Sequence, residues 1–189
     1  MKTTITFLLL ASAFSLVAHA ASKAREETAF LFENRKLVVS VPDGFGSVTS
    51  KDDDGIVSMR LAGPKNRLNL ELRFLPDPEG RFSQARARKE QMVEMFSDYV
   101  GSSSEKGMQF EELGSRTGAG NYCVFTDSAL RGKPELPSGE YLHLTAGLKA
   151  WPGVVAIFRL FSNDTTSPEY QALMKMLRES VEEKPVPLR

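Results

Sequence analysis

The chain of 189 residues contains one cysteine, two histidines and one tryptophan, and its 24 basic residues are balanced by 24 acidic ones. Each scarcity excludes something. A lone thiol, Cys123, cannot form an intramolecular disulfide in any redox compartment, so packing must stabilise the fold. Of the two histidines, His19 falls in a segment read below as a removable leader, which leaves His143. Zinc sites built on two histidines are thereby excluded, and any serine or thiol nucleophile would depend on this single imidazole. No G-x-S-x-G occurs to support such a nucleophile. The balance of charge provides no field for nucleic acid or an anionic membrane, and no nucleic-acid partner is expected.

Apolar runs are also scarce, with one exception at the start. MKTTITFLLLASAFSLVAHA places Lys2 before an uncharged stretch from Ile5 to Val17 and ends on Ala18-His19-Ala20. Charge, apolar run and small-residue site, in that order, make a cleavable secretory signal, and the run is shorter than the roughly 18 to 20 residues that span a bilayer. Residues 1–20 are therefore read as signal peptide and 21–189 as a single domain with a frayed tail from 184. No cysteine stands at the cleavage site to carry a lipid. The expected product is a soluble periplasmic or secreted protein with 23 basic and 24 acidic residues and no integral membrane segment, not a lipoprotein.

Strand patterns fill the first part of the mature chain. Thr28–Glu33 and Lys36–Val41 flank Asn34-Arg35 as a hairpin, and Leu37, Val39 and Val41 alternate onto one face. Val48–Ser50 and Ile56–Ala62 bracket SKDDDG, and Leu68–Leu75 alternates Leu68, Leu70, Leu72 and Phe74 with polar residues. Ser83 is the expected N-cap of a helix reaching Val100, with a buried stripe of Ala85, Met92, Val93, Phe96 and Tyr99. Four further strands are expected over Met108–Thr117, Asn121–Ala129, Glu140–Lys149 and Val154–Ser162. Ser167, Pro168 and Glu169 mark the start of a last helix, in which Tyr170, Leu173, Met174, Leu177 and Val181 share a face and Lys184-Pro185 ends the pattern.

This order, together with Val41-Pro42-Asp43-Gly44-Phe45, in which an apolar strand ends in Pro-x-Gly and an aromatic, resembles the PsbP-like and DcrB-like family of exported domains. Phe45 stands where Trp is commoner in that family. The resemblance covers nearly all of the mature chain. It implies an α+β fold, a single antiparallel β-sheet built from hairpins with two main amphipathic helices packed on it as an α/β/α sandwich. It also implies binding or assembly roles; the motif carries no catalytic residue.

Candidate chemistry reduces to a few places. In SKDDDG, Ser50, Asp52 and Asp54 occupy the first, third and fifth ligand positions of a calcium loop, but Leu61 stands where its closing glutamate belongs. Asp54-Gly55 suits a two-residue hairpin turn with positive φ at both positions, and that turn is the preferred reading. The glycines of TGAGNY read as turn residues, and Arg81, Arg86, Arg88 and Lys89 as a solvated helix face, so no cofactor is expected. Asn163-Asp164-Thr165 fits a glycosylation sequon, relevant only in a eukaryotic host. Cys123 alternates into an apolar strand as a small buried residue, and a Cys123–His143 pair on neighbouring strands is the route to a hydrolase. The leading reading is a non-catalytic module that presents a surface to a protein partner. Its expected contact residues are Trp151, placed by Trp151-Pro152-Gly153 in a turn, and Lys133, Pro134, Glu135, Leu136 and Pro137, in a connection too long for a minimal hairpin. A carrier with a small-ligand or lipid pocket between sheet and helices is the third reading.

Overall fold

The computed structural model describes residues 24–31, 35–64, 67–115 and 117–185. The expected leader, the Asn34 turn position and residues 186–189 lie outside the described residues. Among the described residues, ten strands and three α-helices follow in chain order: β1 (Arg25–Phe30), β2 (Arg35–Val41), β3 (Gly46–Lys51), β4 (Val57–Ala62), β5 (Leu68–Asp77), α1 (Ala85–Phe96), α2 (Asp98–Ser102), β6 (Glu111–Glu112), β7 (Ala119–Thr126), β8 (His143–Trp151), β9 (Gly153–Ser162), α3 (Pro168–Lys175) and β10 (Val181–Pro185).

Seven strands form one antiparallel sheet in the order β3-β4-β5-β9-β8-β7-β6. The α+β class is as expected, but the single sheet is not. β1, β2 and β10 form a second, three-stranded antiparallel sheet. The last helix accounts for the difference. α3 stops at Lys175, a π-helical turn covers Met176–Ser180, and Val181–Pro185 pairs with β2 where helix was expected to continue. A single sheet sandwiched by two long helices is thus corrected to a large sheet faced by α1 on one side and by α3 with the small sheet on the other.

Period-two alternation decides which side chains enter which layer. Leu37, Val39 and Val41 of β2, Met59 and Leu61 of β4, Leu70, Leu72 and Phe74 of β5, and Phe158 and Leu160 of β9 join Leu173, Met174 and Leu177 in one core. Each such side chain contributes about 1.5–3 kcal/mol when fully buried. Phe45, after the Pro42-Asp43-Gly44 turn, is buried in the same core, with Gly44 at φ 80 reversing the chain. The opposite phase of the central strands, Cys123, Phe125, Leu144, Ala146, Leu148 and Val155, packs under Met92 and Phe96 of α1.

α1 starts later than the sequence suggests. The buried carboxylate of Asp77 accepts hydrogen bonds from the amides of Arg81 and Phe82 (2.9 and 3.0 Å), holding a 3₁₀ turn over Arg81–Ser83. Ser83 donates its hydroxyl to the Gly80 carbonyl instead of capping, and Gln84 takes the N-cap position. Arg88, expected on a solvated face, is buried; it donates to Asn121 Oδ1 on β7 (2.9 Å) and to the carbonyls of Phe82 and Ser83 (2.7 Å each). This clamp sets the rotation of α1, so Ala85 and Val93, expected in the stripe, face solvent. α1 packs over β7 and β8 and leaves the β3–β5 half of that sheet face open.

Of the two glycines in TGAGNY, Gly118 lies at the bend that leads into β7, whereas Gly120 is not a turn residue. Gly120 lies within β7, and a Cβ there would stand 2.9 Å from both a Leu113 methyl and the Leu148 carbonyl. Close approach of strand and chain, not a turn, requires glycine.

Candidate functional site

The connection between β7 and β8 folds over one end of the large sheet. Its base is closed by the Asp127 amide donating to the Leu142 carbonyl (2.9 Å) and by the Leu142 amide donating to Asn163 Oδ1 (3.0 Å). Asp127 also accepts from the Ala129 amide through its carboxylate (2.7 Å) and from the Arg131 amide through its carbonyl (3.1 Å), which starts the loop with a tight turn. Ser128 ties the loop to α2, donating its hydroxyl and amide to the Ser102 carbonyl (2.7 and 3.0 Å). Leu130 is buried beneath the loop, while Lys133, Pro134, Glu135 and Pro137 are exposed and Leu136 is half-buried.

Beneath this loop lies a pocket of about 540 Å³. Its walls are aromatic: Phe125 from β7, Tyr99 from α2, Phe161 from β9 and Tyr141 from the loop's return. The Tyr141 and Phe161 rings are 5.5 Å apart and tilted by 42°, and those of Tyr99 and Phe125 are 5.8 Å apart. Lys133, Asp127 and Glu140 reach its rim. An aromatic cleft with a few polar groups at the edge is the composition of a binding site for an apolar group. Of the residues expected to meet a partner, only Lys133 lines this pocket, and exposed Pro134, Glu135 and Pro137 with half-buried Leu136 form the crest above it. The aromatic walls were missed in the sequence: Tyr99 reads as a helix stripe and Tyr141 as a strand residue. No local pattern signals that four residues from four segments converge.

Trp151 requires correction. It is 5 % exposed, at the last position of β8, and directly opposite Val154. The turn consists of Pro152 and Gly153, the latter at φ 79, so residue 151 still obeys strand alternation and faces the α3 side of the sheet with Thr145, Gly147 and Lys149. The wholly buried Lys149 places its ammonium 4.9 Å from the Trp151 ring centre and donates to the carbonyls of Leu177 (2.7 Å) and Arg178 (3.1 Å). A cation on the carbonyls that close the last helical segment fastens it to β8.

The Cys123–His143 pair is not brought together. Cys123 is opposite Ala146 and faces α1, whereas His143 is opposite Thr126 and belongs to the other phase of β8. Burial, followed by the charge of Glu111, pushes the Cys123 thiol up to about 12, so it stays protonated at neutral pH. His143 Nδ1 lies 3.1 Å from the Thr126 hydroxyl, and burial lowers its pKa against the opposing pull of Glu105 and Asp164.

SKDDDG is a turn, with its type corrected. Asp52 and Ile56 face each other, the Asp52 amide donating to the Ile56 carbonyl (3.0 Å), and the Gly55 amide donates to the Asp52 carbonyl (2.9 Å). Gly55 alone takes positive φ (80°); Asp54 does not. This is a three-residue loop with a left-handed glycine. The Asp52 carboxylate accepts from the Ile56 amide (2.8 Å) and pairs with Arg73. Asn163 of the sequon is half-buried, its side-chain oxygen engaged by Leu142 as above.

Compared with family models, with curated proteins and with solved structures, the chain matches none.

Proposed function

We propose that the protein is an exported, non-catalytic binding or assembly module that engages a protein partner in the cell envelope or outside the cell. The partner meets the exposed crest from Lys133 to Pro137 and inserts an apolar side chain into the aromatic pocket beneath it. The observation that carries this reading is the coincidence of the two: the long β7–β8 connection roofs a pocket walled by Tyr99, Phe125, Tyr141 and Phe161. Rigid aromatic walls at a loop anchored on a sheet are what a hot-spot cluster needs. The order of charge, apolar run and Ala-x-Ala in residues 1–20 supports export. Membership of the PsbP-like group is part of the same proposal, supported by the Val41–Phe45 turn and an antiparallel sheet with helices on both faces. The pocket also favours a second reading, a carrier of a small apolar ligand, because about 540 Å³ accommodates one.

Complementation of a deletion strain separates module from enzyme. Cys123→Ala and His143→Ala, each checked for folding, should restore the deletion phenotype as the parent does, whereas a chain with Lys133 to Pro137 replaced by a Gly-Ser link should not. Loss of function in either single variant with an intact melting curve, or full function without the crest, contradicts the proposal.

A further inference from the structure

We infer that the open groove between α1 and the β3–β5 half of the large sheet binds a small amphiphilic anion, a carboxylate or phosphate carried on an apolar body. The groove has a volume of about 420 Å³. Three arginines reach it from neighbouring strands. Arg60 on β4 is directly opposite Glu71 on β5, which is directly opposite Arg159 on β9; Arg73 lies two residues further along β5 on the same face. With Glu71 as the sole acidic residue among those lining the groove, the lining charge is +2. Arg60 is paired with Glu71 (3.0 Å) and Arg73 with Asp52 from outside the lining (3.5 Å), yet their side chains remain 70 % and 54 % exposed.

Arg159 differs from both. Its guanidinium carbon lies 5.8 Å from the centre of the Phe96 ring on α1, its Nε is buried, and among the described residues that Nε has no hydrogen-bond partner. No ion pair joins Arg159 to a described carboxylate. A buried donor left unmet is costly, and an arginine held against an aromatic face without an ion pair is a preorganised receptor for an oxyanion. Beside it, Met95, Ile157 and the 68 %-exposed Val48 supply an apolar wall. Charge and wall together select an anion with an apolar body over inorganic phosphate alone. The groove is distinct from the aromatic pocket, although β9 lines both, through Ile157 and Arg159 here and through Phe161 there.

The test uses the mature protein with decanoate and decyl phosphate below their micelle concentrations, and with acetate, inorganic phosphate and decanol as partial probes. Calorimetry should show binding of at least one full amphiphile tighter than about 1 mM, with every partial probe weaker by about tenfold or more. Its titration should shift the Arg159 Nε–H resonance. The tighter of the two amphiphiles assigns the headgroup, and either one supports the site. Arg159→Gln should weaken binding by about tenfold or more. Should that variant fail to fold, Arg60→Gln combined with Arg73→Gln, both on exposed side chains, must show the loss. The variant with Lys133 to Pro137 replaced by a Gly-Ser link should bind as the parent does, which separates this site from the proposed partner surface. The inference is overturned if neither amphiphile binds, if folded arginine variants bind like the parent, or if phosphatidylglycerol vesicles or a decaglutamate peptide bind where the free amphiphiles do not.

Discussion

His143 illustrates how burial sets the chemistry of single residues in this chain. Its ring sits against Thr126, and burial outweighs the attraction of Glu105 and Asp164, so its pKa in the folded state is below the ordinary 6.5. The folded state therefore binds its proton less readily than the unfolded chain. Stability arising from this difference is complete above about pH 6.5 and declines as pH falls through the depressed folded value. Melting temperatures taken at pH 8, 6.5 and 5.5 should fall more steeply for the parent than for His143→Gln; parallel profiles would contradict the assignment. At this scale the sequence was legible where alternation sufficed. Cys123 reads as a buried strand residue and is one. It was misleading where a polar residue is buried by long-range partners. Arg88 and Asp77 are held by groups distant in sequence or by a turn not visible as a pattern, and Trp151 stands one residue before the Pro152-Gly153 turn, within the strand.

Elements were legible where local chemistry is self-contained. The Ser167 hydroxyl accepts from the Tyr170 amide (3.2 Å) with Pro168 at the first helical position, as read. Strands β4, β5 and β9 also lie where alternation places them, because the apolar residues of one phase of each are buried in the larger core. The end of α3 was not legible, since pairing of Val181–Pro185 with β2 overrides the helical spacing of a single apolar position. The SKDDDG turn gives an element-scale prediction. Gly55→Val forces a β-branched residue into positive φ and should lower stability by about 1–2 kcal/mol. Asp54→Ala should change it by no more than about 0.5 kcal/mol, because Asp54 is exposed and does not take positive φ. Urea unfolding of the two variants decides between this loop and a two-residue turn, which would penalise Asp54→Ala as well.

At the scale of the whole molecule, two faces of one sheet are treated differently. The α3 face is closed by apolar side chains from five strands, α3 and the small sheet, whereas the α1 face is covered only in part. The groove and the aromatic pocket both lie on this second face, one on each side of the helical segment, lined by Met95 on one side and Tyr99 on the other. The sequence revealed the long connection but not the pocket below it, since convergence of Tyr99, Phe125, Tyr141 and Phe161 depends on strand order. The central claim is that this crest and pocket meet a protein partner. Its most direct test is a photo-crosslinking amino acid at Leu136, compared with one at exposed Val93 on α1, in cells that carry the protein naturally. A discrete adduct should form at position 136, weaken on Tyr141→Ala in a chain that still folds, and be absent at position 93. The same adducts at both positions, or none at 136 while the chain remains functional, would contradict the account.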